Sequence, residues 1–235
     1  MHVLKLGSTY DHLREERGDF EDWTAAALGV TRADLTVVDV RAGDPLPAAT
    51  DCDGIILTGS HAMVSHREPW SEAVAAWLPG IVAAEVPLLG ICYGHQLLAH
   101  AFGGVVDDHP RGKEIGTVHV GLTPAAADDP LFSHMPPDFC AHATHTQSVL
   151  TLPNGAVHLA GNDFEPHHAL RIGRRAWGVQ FHPEYTTRHM ADYIDGQAET
   201  LTTAGHDIDA LHRTVTPTPE ATELLRRFMA LCTPH

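Results

Sequence analysis

The sequence predicts an α/β fold, a three-layer sandwich built on a mixed, largely parallel central sheet. Three observations point to it. Short apolar runs alternate with helix-prone segments through residue 104, the pattern of parallel strands joined by right-handed crossovers. The run Val86-Pro87-Leu88-Leu89-Gly90-Ile91 is apolar throughout, as expected of a strand buried on both faces. From Ile115 to about Val179 the pattern changes to short β-prone runs split by Pro, Gly and Asp turns, which suits antiparallel strands.

Taken in order, residues 3–6 read as a first strand, 22–28 as helix, 35–40 as a second strand and 55–57 as a third, ending in Thr58-Gly59-Ser60. Residues 69–78 read as helix, with Pro69 tolerated in the first turn and Val74, Trp77 and Leu78 on one side. Pro79-Gly80 is expected to break or kink that helix before 81–85 resumes it. The helix 93–102 follows the apolar strand almost without a loop, and Gly103-Gly104 ends it. The β-prone runs of the second half are 116–121, 148–152, 156–160 and 177–181. Helix returns at 187–202, then a polar connection at 205–217. In the last helix Thr218 serves as cap, Pro219 takes the first position, and Leu224, Leu225, Phe228 and Leu231 form the buried stripe. With no repeat or linker, residues 1–235 read as a single domain, with a C-terminal helical extension from about 195 to 235.

Composition narrows the function. Fifteen basic residues against thirty acidic ones give a formal charge of −15, which disfavours binding to nucleic acid or to an anionic membrane surface. No apolar run reaches the roughly 20 residues needed to span a bilayer, and the apolar part of the N-terminus is too short for a secretory signal. Cys52, Cys92, Cys140 and Cys232 are widely spaced, with no Cys-x-x-Cys pair, which argues for reduced thiols and a cytoplasmic location. The 19 histidines invite a metal site. The best clusters, Cys140-x-His142-x-x-His145 and His167-His168, lack a complete ligand set at structural zinc spacings. There is no Gly-rich phosphate loop, so neither a metal nor a cofactor is expected.

Chemistry concentrates at Gly90-Ile91-Cys92-Tyr93-Gly94, where the apolar strand meets a helix. A nucleophile there sits on a sharp turn at the carboxyl edge of the sheet, and small residues two before and two after let the strand and helix backbones approach. The helix N-terminus favours a thiolate, and the Tyr93 amide can face an oxyanion. The bland reading of the pentapeptide is a buried, inert cysteine beside packing glycines. The continuation His95-Gln96-Leu97-Leu98-Ala99 weighs against it.

Gly90-Ile91-Cys92-Tyr93-Gly94-His95-Gln96, followed about ninety residues later by Gly178-Val179-Gln180-Phe181-His182-Pro183-Glu184, resembles the class I glutamine amidotransferase (triad glutaminase) family over roughly residues 1–195. The nearest branch resembles the glutaminase domain of GMP synthetase and its free-standing relatives, with a flavodoxin-like fold. The resemblance implies Cys92 as nucleophile, His182 as the base that returns the proton to the departing amine, and Glu184 as the group that orients His182. In an extended segment Glu184 points to the same side as His182. An oxyanion hole from Gly59, Ser60 and Tyr93 is implied, although Thr58-Gly59-Ser60-His61 departs from the usual Ser-Gly-Gly-Pro. Gln96 matches a substrate-contact position. Thr144-His145-Thr146-Gln147 resembles the Ser-His-Gly-Asp loop that holds the amino-acid end of glutamine, with Gln147 in place of the common acid. Lys113-Glu114-Ile115-Gly116 resembles another family block and receives no catalytic role, a buried structural ion pair being at least as good a reading.

Three functions stay open. A glutaminase would supply ammonia to a synthase, and since no synthase domain is recognisable in the chain, a separate subunit would hold the acceptor site. A free-standing γ-glutamyl hydrolase would use the same triad on γ-glutamyl peptides, given a pocket around Met63 to Trp70 that admits a bulky leaving group. A non-catalytic relative would only bind a ligand or partner.

Overall fold

In the computed structural model, which describes residues 1–232, successive residues of each central strand enter opposite cores. The central strands are β1 (His2–Lys5), β3 (Ile55–Leu57), β4 (Leu88–Ile91) and β11 (Ala176–Val179). Val3, Ile56, Leu89, Ile91, Trp177 and Val179 face one core, and Leu4, Ile55, Leu57, Leu88 and Ala176 face the other. This period of two explains why these strands read as apolar throughout: both faces are covered.

The first core is closed by α2 (Phe20–Leu28) and α8 (Pro219–Cys232), the second by α3 (Pro69–Ala83) and α4 (Tyr93–Ala101). Two helical layers about one sheet make the three-layer sandwich expected from sequence. Adding β2 (Thr36–Asp39), β6 (Glu114–Leu122), β7 (Asp138–His145), β9 (Val157–Gly161) and β10 (Ala169–Ile172), the described residues form a nine-stranded sheet in the order β2-β1-β3-β4-β11-β10-β9-β6-β7. Pairing is parallel from β2 through β11 and antiparallel beyond. The run 177–181 therefore belongs to both halves: its strand lies parallel to β4 on one side and antiparallel to β10 on the other. A separate ribbon pairs β5 (Val105–Asp108) with β8 (Gln147–Thr151).

Several sequence expectations need correction. Pro79 does not end α3, which runs unbroken from Pro69 to Ala83. Pro79 and Gly80 are exposed while Val74, Leu78 and Ile81 stay on one buried stripe, so packing on both sides of the proline outweighs its lost hydrogen bond. The expected helix at 187–202 is two, α5 (Thr187–Gly196) and α6 (Ala198–Thr203), parted at Gln197, whose φ of −116° is not helical. The polar connection at 205–217 contains α7 (Ile208–Thr214), capped by the Asp207 carboxylate accepting from the Ala210 amide at 2.9 Å. A short helix, α1 (Asp11–Arg17), and the strands β5, β7 and β10 carry no clear sequence signal.

The C-terminal helices pack against the rest of the chain. Met190, Ile194 and Leu201 from α5 and α6 join Phe20, Trp23, Tyr185 and Tyr193 in a third cluster. In α8 the buried stripe is Ala221, Leu224, Leu225, Phe228 and Cys232, with Leu231 only partly covered. The Phe228 ring meets Trp177 of β11 edge-on at 6.3 Å, so α8 covers the sheet. The last three residues of the expected extension, 233–235, lie outside the described residues. No helix among the described residues is long and apolar enough to cross a membrane.

Candidate active site

Cys92 lies between the last residue of β4 and the first of α4, with φ 50° and ψ −100°. A non-glycine residue at positive φ is strained by roughly 1–3 kcal/mol and persists where its surroundings over-determine it. They do so here. The Cys92 amide donates to Val179 O of β11 at 2.8 Å, and Cys92 O accepts from the Gln96 amide at 3.1 Å, beginning α4. A Cβ on Gly94 would lie 2.6 Å from Leu57 Cβ, and one on Gly90 would overlap the Gly94 carbonyl. Both flanking glycines are thus demanded by contact between β3, β4 and α4, as the sequence suggested.

The second chain segment arrives from β11. The His182 amide donates to His142 O at 2.8 Å, which fixes the backbone, and the ring is held on three sides. His182 Nδ1 meets Glu184 Oε1 at 2.8 Å, and Tyr185 stacks on the ring at 4.1 Å between centroids. Across from it the Gly59 backbone is close enough that a Cβ there would sit 3.3 Å from His182 Cε1. Nε2 is buried and makes no hydrogen bond to a nitrogen or oxygen of the described residues. It is left to the neighbouring Cys92, a spacing that tightens in many enzymes only on substrate binding. Burial disfavours charge on His182. The negative charges of Glu184 and Cys92, with the hydrogen bond to Glu184, outweigh that and push its pKa up to about 10. A cysteine on a strained turn facing an oriented imidazolium can attack a carbonyl carbon and hand a proton to a leaving amine.

A cavity of about 190 Å³ opens over this group. Cys92, His182, Gln96, Ser60, Thr146 and Gln147 all line it. Of the expected oxyanion donors, Gly59 lies behind Ser60 against His182, and the Ser60 hydroxyl accepts from the Ala62 amide at 3.1 Å. The Tyr93 side chain turns away to Ser71 at 2.7 Å. Its amide, the first of α4, has no intrahelical acceptor.

The expected substrate contacts are largely tied up within the protein. Gln96 Nε2 donates to Gln147 O at 2.7 Å and to Gln180 Oε1 at 2.9 Å. Gln147 Nε2 donates to Ser65 Oγ at 2.6 Å and Asp108 Oδ1 at 3.0 Å, while its Oε1 accepts from the Ser65 amide. Both ring nitrogens of His145 are engaged, Nδ1 with Gln147 O and Nε2 with Glu114 Oε2, each at 2.9 Å. Burial opposes the Glu114 charge, yet hydrogen bonds from His145 and His168 hold its carboxyl well below the usual range. These side chains shape the Thr144–Gln147 stretch, where β7 gives way to β8.

Sequence reasoning missed the outer wall. Tyr10, His61 and Tyr193 close one side, with Tyr193 Oη 3.2 Å from His61 Nε2 and 3.0 Å from Thr9 Oγ1. These residues come from three distant segments, so no local pattern announces them. Lys113 also lines the cavity; its block was visible in the sequence, its direction was not. The two clusters are dispersed: Cys140 meets His119, His142 meets Thr117 and His167 meets Val149 O, while His145 and His168 share Glu114. Among the described residues no group of three or more His, Cys, Asp or Glu is placed to hold a metal ion.

Residues 16–197 match the family model for glutamine amidotransferase class-I. The glutamine-hydrolyzing GMP synthase of Thermosipho africanus is 37% identical over 194 residues, which cover 82% of this chain and 34% of that protein. The chain thus spans about a third of that relative's length. A protein from Halobacterium salinarum, named as one subunit of a glutamine-hydrolyzing GMP synthase, is 32% identical over 154 residues, covering 64% of this chain and 76% of its own. A crystal structure of a glutamine amidotransferase from Thermotoga maritima shares the fold, with a TM-score of 0.73 at 21% identity over 100% of this chain and 99% of that one. The chain belongs to the class I glutamine amidotransferase family.

Proposed function

We propose that this chain hydrolyses the side-chain amide of glutamine through a thioester on Cys92, giving glutamate and ammonia. The observation that carries the reading is Cys92 held at φ 50° beside a buried His182 whose far nitrogen is bound by Glu184 at 2.8 Å. Cys92, its proton already held on His182 Nε2, attacks the carboxamide carbon as the thiolate. The tetrahedral oxyanion is met by the Tyr93 amide and an amide of the Gly59-Ser60 loop, each such donor being worth about 3 kcal/mol of transition-state stabilisation. Collapse breaks the C–N bond, and the nitrogen leaves as ammonia with the proton from His182. Water then adds to the thioester, His182 takes its proton, and glutamate departs as the thiol is restored.

The likeness to a protein named as one subunit of a GMP synthase supports an ammonia-consuming synthase, carried on a separate chain, as acceptor. The cavity favours glutamine over γ-glutamyl peptides. Of residues 63–70 only Met63 lines it, whereas Ser65 is bound to Gln147 and Trp70 stacks on Tyr93 at 5.5 Å. The juxtaposition of Cys92, His182 and Glu184 also speaks against a purely binding relative.

The test is ammonia and glutamate release from glutamine, beside glutamate release from γ-glutamyl dipeptides. Glutamine turnover that falls by roughly 10³-fold or more in Cys92→Ala is expected. Faster cleavage of the dipeptides would transfer the assignment to a γ-glutamyl hydrolase. Equal activity of Cys92→Ala and wild type on every substrate would remove the enzyme reading.

A further inference from the structure

The wall of the candidate active site carries one ammonium and, among the described residues, no carboxylate. Lys113 lines the cavity together with Cys92, Gln96, His182 and Tyr193, whereas no Asp or Glu does so. Glu184 is hidden behind the His182 ring, and Asp108 reaches the site only through the Gln147 amide. The backbone aims the lysine there. Its neighbour Glu114, at the start of β6, is pinned to the other side by His145 at 2.9 Å, His168 at 3.2 Å and Asn162 at 3.0 Å. Adjacent side chains of an extended segment point to opposite faces, so anchoring Glu114 inward turns Lys113 into the cavity.

Lys113 is half-buried and forms no ion pair with an acidic side chain of the described residues. By contrast the similarly enclosed Lys5 is clamped by Asp19 at 2.7 Å and Glu21 at 2.8 Å. Burial weakens the Lys113 charge, and the negative charge of Cys92 supports it. A partly desolvated ammonium without a carboxylate partner among the described residues is a place where a ligand's anion gains more than it would in water.

We propose that Lys113 binds the carboxylate on the α-carbon of the substrate's glutamyl group, and that the site recognises no substrate ammonium by ion pairing. This rests on the glutaminase reading and deepens it. Gln147 supports the second half: it carries no charge, and both ends of its amide are held by Ser65 and Asp108 rather than turned to a ligand. Tyr10 and Tyr193, which bring no carboxylate, complete that wall of the pocket. Loss of the carboxylate from the substrate is therefore expected to matter far more than loss of the amine.

Two measurements test this. In steady-state assays with glutamine, Lys113→Met is expected to raise KM by about 10- to 100-fold with a smaller change in kcat, and Lys113→Arg to restore most of it. Glutaramate, which keeps the carboxylate and lacks the amine, should be turned over by wild type, and 4-aminobutanamide, which has the amine alone, should not. The second measurement needs no turnover. The rates of Cys92 alkylation by iodoacetate and iodoacetamide are compared by peptide mass analysis, with and without glutaramate. Wild type and Lys113→Arg should favour iodoacetate and be protected by glutaramate; Lys113→Met should lose both. An unchanged alkylation ratio, or equal protection of Lys113→Met, overturns the proposal, as does efficient use of 4-aminobutanamide. Lys113-dependent protection without any glutamine turnover would retain the anion site and sink the glutaminase reading instead.

Discussion

The parallel and antiparallel halves of the sheet contribute to the same cavity in different ways. The parallel half supplies reactive groups from strand ends: Cys92 after β4 and His182 just beyond β11, with those two strands hydrogen-bonded in register from Leu88 to Ile91. The antiparallel half and the C-terminal helices supply walls: Lys113 before β6, Thr144 to Gln147 between β7 and β8, and Tyr193 from α5. Reacting atoms must be placed to a fraction of an ångström, and adjacent strands buried on both faces provide that stiffness. Walls need only the right charge and shape, and they are built from segments with fewer constraints. The same difference separates what can be altered without unfolding the protein from what cannot.

The largest expected effect breaks the reactive side and leaves the walls intact. Glu184→Gln keeps the shape of the side chain but removes the charge that orients His182, and kcat/KM should fall by about 10³- to 10⁴-fold. The His182 titration should move down from about 10, since Glu184 leads the influences that raise it against burial. A raised histidine pKa stabilises the fold fully below the unfolded value of about 6.5, and that contribution is lost as pH rises through the folded value near 10. The stability gap between wild type and Glu184→Gln should therefore narrow between those two pH values. Chemical denaturation across that range measures it, and a gap that is constant with pH would show that His182 is not charged in the fold.

Next comes a change meant to touch stability alone. Phe228 is fully buried in α8, packed on Trp177 on the far side of the sheet from α3 and α4. Phe228→Ala should cost about 3–5 kcal/mol and leave kcat unchanged at temperatures where the protein stays folded. A fall in kcat would mean that α8 tunes the position of β11, and so of His182. That helix was legible in the sequence because Thr218, Pro219 and a stripe at helical spacing all agree. The elbow at Cys92 was legible for a similar reason: two glycines, an apolar strand and a helix start coincide within a few residues. β7 and β10 were not, because Asp138–His145 mixes polar or charged positions with small residues, and Ala169–Ile172 is too short to show a period. Their strand character comes from pairing with β6, β9 and β11, which is tertiary information. The same holds for Lys113, whose role depends on where Glu114 is anchored.

The smallest effects come from two glycines in the half that holds the nucleophile, and they separate contact from conformation. Gly94→Ala would place a methyl 2.6 Å from Leu57 Cβ and 2.7 Å from Leu57 O. β3 and α4 would have to part, at about 1–3 kcal/mol of stability, and Cys92 would shift with the helix start, lowering kcat by roughly 100-fold. Gly80 lies in α3 at ordinary helical φ, and a methyl there would meet nothing within 4 Å, so Gly80→Ala should stabilise the protein by about 0.5–1 kcal/mol and leave kcat alone. Both residues sit in helices that cover the same core, and both variants improve intrinsic helix propensity. If Gly94→Ala proved neutral in thermal unfolding and in turnover, the tight approach of strand and helix would not be what holds Cys92 at its strained geometry, and the pinning would have to come from the backbone hydrogen bonds of Cys92 with Val179 and Gln96.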